Sequence, residues 1–277
     1  MIMTRLNGFE NETFAVKCAK RGNDVYRSRV RRRFEGLSTM MDKLVFFNPN
    51  DHGPKRTRAL WGTLTYDSKL CSFRDAWVKI GIELNRFMSF VRRQFGKVSC
   101  LRVFEAFGNG YPHIHAILLF ESTSFNVFRD SRGQFRIGSK DVLAKGWHSN
   151  IDVKGMSTLA GGFNYLKKYL LKNINAGNSD SKAVETLALC WAFAKRAFSV
   201  SGQFRRMLSE LIKQIRPRIM NQLTLFGEIL PNEKFNVIGF VPAGILCFKH
   251  GVWFSKLDRT QITAVDEYLS RPRHYIF

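Results

Sequence analysis

A chain of 277 residues with 45% hydrophobic and 24% charged side chains can bury a substantial core, which excludes wholesale disorder. Lys and Arg number 44 against 22 Asp and Glu, a net charge of +22; nucleic acid is the leading partner for such a field, and an anionic membrane surface is the rival. No apolar run is long enough to span a bilayer, the N-terminus (Arg5, Glu10, Glu12) lacks a secretory apolar core, and five scattered cysteines without a Cys-x-x-Cys pair suit a reducing, cytoplasmic compartment.

Residues 1–56 read as a basic N-terminal extension, helical around Arg27-Ser-Arg-Val-Arg-Arg-Arg33. Such a block is either a solvated face or a DNA-contacting arm with Arg31, Arg32 and Arg33 as its contacts, and the net charge favours the arm. Asn48 to Pro54 is a loop by its turn chemistry. Leu60 to Tyr66 alternates bulky and small residues and predicts the first core strand. A helix should follow: Ser72 and Asp75 make a capping start, Phe73, Trp77, Ile80, Leu84, Phe87 and Val91 recur at helical spacing, and Gly96 stands where a C-terminal cap belongs.

Val98 to Phe107 and Tyr111 to Phe120 predict a β-hairpin whose turn is Gly108-Asn-Gly110, with glycines to supply positive φ. Strand side chains alternate faces, so His113 and His115 share one. In an antiparallel pair a turn centred on Asn109 sets Glu105 opposite His113 and Val103 opposite His115. A lone strand histidine is usually a half-buried polar residue, but two on one face beside a carboxylate suit a divalent ion. His-x-His also occurs in zinc hydrolases and cupin-like barrels, so the pattern indicates a metal without fixing a reaction.

Beyond the hairpin the sequence suggests a short helix near Phe125, a polar loop, and a strand over His148 to Lys154, in which His148 and Asp152 read first as surface or turn residues and second as groups within reach of the metal. Leu159, Phe163, Leu166 and Leu170 then mark the buried face of a helix, while Tyr165, Lys168, Tyr169 and Lys172 line another. The ordinary reading of that second face is tyrosines at the core edge and lysines in solvent. The chemical reading is phosphoryl transfer: a phenol is a poor nucleophile at neutral pH, and a metal with nearby cations would activate it. Asn175 to Ser181 reads as a linker. Two helices are expected next, one carrying Leu187, Trp191, Ala194 and Phe198, the other Phe204, Met207, Leu211 and Ile215 and ending at Pro217. Strands over Val237–Val241 and Gly244–Phe248 and a helix over Thr260–Leu269 close the chain.

With these stretches in hand, the chain resembles the HUH endonucleases, and within them the rolling-circle replication initiators of the two-tyrosine branch found in plasmids, single-stranded DNA phages and archaeal mobile elements. Gly62-Thr-Leu-Thr65 is similar to the first family motif, Pro112-His-Ile-His115 to the metal motif, and Tyr165-Leu-Lys-Lys-Tyr-Leu-Leu-Lys172 to the nucleophile motif. The resemblance covers about residues 57–175. It implies an α+β fold, an antiparallel sheet with flanking helices as the HUH core (57–175), between the N-terminal extension (1–56) and a C-terminal α/β region of unknown role (176–277).

By the same resemblance His113, His115 and Glu105 bind Mg²⁺ or Mn²⁺, Tyr165 and Tyr169 are the paired nucleophiles, Lys168 positions metal and phosphate, and Lys172 contacts phosphate. The implied activity is sequence-specific nicking and strand transfer of single-stranded DNA at a replication origin, presented as an open strand or as a hairpin, through a 5′-phosphotyrosine. There is no Gly-x-x-x-x-Gly-Lys loop, so a separate helicase and a polymerase are expected as partners. The alternatives are an HUH transposase or relaxase, a non-catalytic single-stranded DNA-binding protein, and a zinc hydrolase that uses water.

Overall fold

In a computed structural model of the chain, residues 1–7, 10–16, 24–173, 181–196, 198–211, 213, 236–246 and 254–271 are described. The fold is α+β, with antiparallel sheets and helices against them. In chain order the first elements are β1 (Ile2–Asn7), β2 (Glu10–Val16), α1 (Asp24–Met41), β3 (Lys55–Thr57), β4 (Ala59–Thr65) and α2 (Phe73–Phe95). The hairpin strands β5 (Val98–Ala106) and β6 (Pro112–Phe120) follow, then β7 (Phe125–Arg129), β8 (Phe135–Ile137), α3 (Lys140–Ala144) and β9 (Ile151–Gly155). After α4 (Leu159–Asn173) and α5 (Ser181–Ala192) come β10 (Phe198–Val200), β11 (Asn236–Gly239), β12 (Phe254–Lys256) and a last helix, Arg259–Ser270.

Two compact units divide the chain, residues 27–214 and residues 1–26 with 215–277. The larger holds a five-stranded sheet in the order β10-β5-β6-β4-β9, with β6 at its centre, and a three-stranded sheet β3-β7-β8. The smaller is a four-stranded sheet, β11-β1-β2-β12, whose core is Ile2, Ala15, Leu246, Leu257 and Val265. This grouping differs from a division at residues 56 and 175. The first two strands pair with strands from the far end of the chain, while α1 and α5 belong with the large sheet.

Helix α2 follows the sequence closely. Ser72 Oγ accepts from the Asp75 backbone N–H at 3.2 Å, and Gly96, at φ +78°, closes the helix by donating its N–H to Arg92 O. Trp77, Ile80, Leu84, Phe87 and Val91 are buried with Leu60, Leu64, Phe104, Ile114 and Leu118 of the large sheet. Burying each such side chain stabilises by roughly 1.5–3 kcal/mol, which fixes α2 to one face of the sheet. On α4, Leu159, Phe163, Leu166 and Leu170 are wholly buried, and the helix packs against β5 and β6.

Helix α1 is no free arm. Its spaced apolar residues Val30, Phe34, Leu37 and Met41 are buried, and the Phe34 ring stacks on Phe163 of α4 at 5.4 Å and meets Phe198 of β10 edge-on at 5.1 Å. Three further expectations are corrected. The stretch at Phe125 is a strand, because Phe125 and Val127 face the core while Asn126 and Phe128 face out, a period of two. Helix α5 stops at Ala192: Ala194 takes a positive φ of 50°, and Phe198 becomes part of β10. Ala243–Ile245 forms a 3₁₀ turn where a strand was expected. Residues 203–211 are helical as expected, with Phe204 buried. The linker at 175–180, Ile215, Pro217 and residues 247–248 lie outside the described residues.

Candidate active site

The hairpin turn sets the register on which the site depends. Gly110 N–H donates to Phe107 O at 2.8 Å and Phe107 N–H to Tyr111 O at 2.9 Å, closing a three-residue turn. Of its central residues only Gly110 has a positive φ, +79°, and a Cβ there would lie 2.9 Å from the Phe73 ring. Buried Trp77 donates its indole N–H to Gly110 O at 3.0 Å, tying the turn to α2. The outcome is the expected pairing of Glu105 with His113 and Val103 with His115.

On its other side β6 pairs with β4, Thr65 against His113 and Thr63 against His115. Cross-strand partners share a face. Trp61, Thr63, Thr65, Glu105, His113 and His115 therefore look to the side that α4 covers. Both imidazoles are nearly buried, at 8% and 7% exposure. Glu105 is opposite His113, yet its Oε2 reaches diagonally to His115 Nε2 at 2.7 Å. Thr63 Oγ1 stands 3.4 Å from His115 Nδ1 and accepts the Trp61 indole N–H at 3.2 Å. His113 stacks on Phe107 with ring centroids 4.3 Å apart.

Helix α4 adds the phenols. Tyr169 stacks on His115 at 4.1 Å, Tyr165 meets the edge of Trp61 at 4.9 Å, and the two hydroxyls are 2.8 Å apart. Tyr165 is 48% exposed and Tyr169 half-buried, so the pair opens to solvent on one side. Burial, then the hydrogen bond and charge of Tyr165, then the charge of Glu105 push the Tyr169 phenol well above its ordinary range. At neutral pH it is protonated, and it needs added positive charge to become a nucleophile. Burial and neighbouring His115 pull His113 down to about 4 against the opposing Glu105, which keeps the ring neutral and its lone pair free to bind a metal.

Among the described residues no three His, Cys, Asp or Glu side chains form a ready-made metal cage. The donor types of Glu105, His113 and His115, two imidazoles and a carboxylate on one sheet face, are nonetheless those that hold divalent ions. The present Glu105–His115 hydrogen bond would give way to ligation.

The remaining candidates fall at varied distances from this centre. Lys168 is exposed on α4 and makes no hydrogen bond or ion pair among the described residues; Lys172 lies on the same helix, and its side chain is outside the described residues. Arg31, Arg32 and Arg33 are exposed on α1, where Arg31 Nε pairs with Glu35 at 2.9 Å. Asp152 shares the histidine face through its pairing with Thr63 but is bound by Arg136, and Lys154 Nζ is 3.7 Å away. His148 packs on Tyr66 and Trp147, each at 4.4 Å, apart from the histidine pair.

Sequence reasoning did not single out Trp61 or Phe107 as parts of the site. The signal for Trp61 was present in its parity with Thr63 and Thr65, once β4 is set beside β6. Phe107 had none, since nothing in its spacing marks an exposed ring at a turn as a cover for His113.

Comparison of the chain with family models, with curated protein sequences and with solved structures finds no match. Among the described residues no helix is long and apolar enough to cross a membrane.

Proposed function

We propose that the chain is a divalent-metal-dependent nickase and strand transferase for single-stranded DNA, a rolling-circle replication initiator of the HUH kind. The observation that carries this reading is the Tyr165–Tyr169 hydroxyl pair, 2.8 Å across, seated on His115 beside Glu105. A protein that only holds single strands has use for aromatic rings and cations, but not for two phenols joined over a histidine–carboxylate pair.

In the reaction one tyrosine loses its hydroxyl proton and its oxygen attacks the scissile phosphorus. The bond from phosphorus to the 3′ oxygen breaks, leaving a 5′-phosphotyrosine, and the departing 3′ oxygen takes up one proton, matching the one the tyrosine lost, to become the 3′ hydroxyl. A metal ion held by Glu105, His113 and His115 would supply charge stabilisation at the phosphate oxygens. Lys168 adds a cation on the tyrosine helix, with Lys172 one turn further on. The second tyrosine serves a second transesterification, so the phosphodiester energy is kept and no ATP is consumed. The +22 charge draws the strand in, with Arg31, Arg32 and Arg33 as outlying contacts. Unwinding and synthesis fall to a separate helicase and polymerase.

The test is incubation with Mn²⁺ and end-labelled single-stranded oligonucleotides from the protein's own replicon, resolved on a denaturing gel. A protein band carrying only the 3′-side fragment, lost with EDTA and in the Tyr165→Phe/Tyr169→Phe variant, is the expected result. Cleavage with no adduct would replace this reading with a water-using hydrolase, and binding without cleavage on every origin fragment with a DNA-binding protein.

A further inference from the structure

Strand parity sends Arg102 of β5 to the side opposite Glu105, toward α2 and α5 and away from the tyrosine site. Its neighbours on the sheet are Ala116 of β6 and Ser199 of β10. The guanidinium lies over the Phe104 ring at 4.4 Å, and its Nη1 is shielded from solvent without a hydrogen-bond partner. Among the described residues it is the one buried side-chain nitrogen or oxygen left in this condition. A partnerless buried cationic donor is costly, so an ordinary structural arginine would sit beside a carboxylate or a carbonyl.

Two further cations gather where α5 ends. Lys195 reaches the Val78 carbonyl on α2 at 2.9 Å, and it shares with Arg102 a mutual repulsion that adds to burial in lowering its proton affinity. Arg196 exerts the same repulsion on Arg102, whose affinity burial lowers first. No carboxylate among the described residues forms an ion pair with any of the three. The other ionisable groups acting on Arg102 are the Cys100 and Cys190 thiols, and burial holds Cys100 protonated by raising it to about 11. The three cations thus act on one another, and among the described residues no carboxylate pairs with them.

We propose that Arg102, Lys195 and Arg196 form a phosphate-binding site on this second face of the sheet. A tetrahedral oxyanion matches the arginine fork, accepts from Nη1 and the lysine together, and relieves the repulsion among the three. The site stands apart from the nicking reading, since it uses none of those residues and lies across the sheet from them.

Thermal unfolding with inorganic phosphate at constant ionic strength tests it. The wild-type Tm should rise with the logarithm of phosphate concentration above Kd, by about 5 °C at a hundredfold excess over Kd. The rise should vanish in Arg102→Met and shrink in Lys195→Ala/Arg196→Ala, whose side chains are more exposed and whose folding is not at stake. An equal rise in all three proteins, or none in the wild type, overturns the proposal and leaves Arg102 satisfied by solvent. If Arg102→Met does not fold, the double variant decides alone. A single-stranded oligonucleotide that displaces phosphate, read by the ³¹P linewidth, assigns the site to a strand's phosphodiester; one that does not assigns it to free phosphate, and either result sustains the site.

Discussion

Tyr165 and Tyr169 touch hydroxyl to hydroxyl at 2.8 Å, one helical turn apart, and only the second of them rests on His115. The two phenols are therefore coupled but not equivalent. If both are nucleophiles, each single Phe variant keeps adduct formation while the double variant loses it by roughly 10³-fold or more. Tyr165→Phe should also shift the Tyr169 titration downward, because the Tyr165 contact is among the causes that raise it. Ultraviolet titration of the phenolate reads this shift without any DNA present.

His113 makes stability depend on pH. Its folded pKa is about 4, against 6.5 for an unperturbed histidine. Between these values the unfolded chain binds the extra proton, so the contribution is fully present above about pH 6.5 and is lost as pH falls toward about 4. The span corresponds to about 3 kcal/mol. Denaturant unfolding of wild type and His113→Gln at pH 7.5, 5.5 and 4.5 measures it: the variant should show a shallower loss on acidification, and equal slopes would remove His113 as the cause.

Gly110 is constrained twice, by its positive φ and by the Phe73 ring. Gly110→Ala should destabilise by about 1–2 kcal/mol from the backbone alone, more if Phe73 cannot move aside. Because the turn holds Glu105 opposite His113, the same change should weaken adduct formation in protein that remains folded. A variant with wild-type stability would mean that the turn tolerates a side chain.

On α1 the buried and exposed faces should separate cleanly. Phe34→Ala removes a wholly buried ring stacked on Phe163 and should cost about 3–5 kcal/mol in chemical denaturation. Arg31→Ala/Arg32→Ala/Arg33→Ala should leave stability within about 0.5 kcal/mol. If these arginines contact phosphates, the triple variant flattens the slope of log K against log salt for single-stranded DNA by about 2. An unchanged slope would confine α1 to a packing role.

What the sequence determined by itself was local. The two-residue period of β6 put His113 and His115 on one face, the Gly108-Asn-Gly110 turn set Glu105 against His113, and helical spacing on α4 parted the buried leucines from the tyrosines. Each of these rests on residues close in the chain, whose relation is set by backbone geometry. Only the tertiary structure decided that β4 lies beside β6 and brings Trp61 and Thr63 to His115, that Glu105 reaches diagonally to that histidine, and that Phe34 docks α1 on α4. It also joined β1 and β2 to β11 and β12. Such contacts link residues far apart in sequence, where no periodicity constrains the partner and the choice falls to whichever surfaces bury one another best.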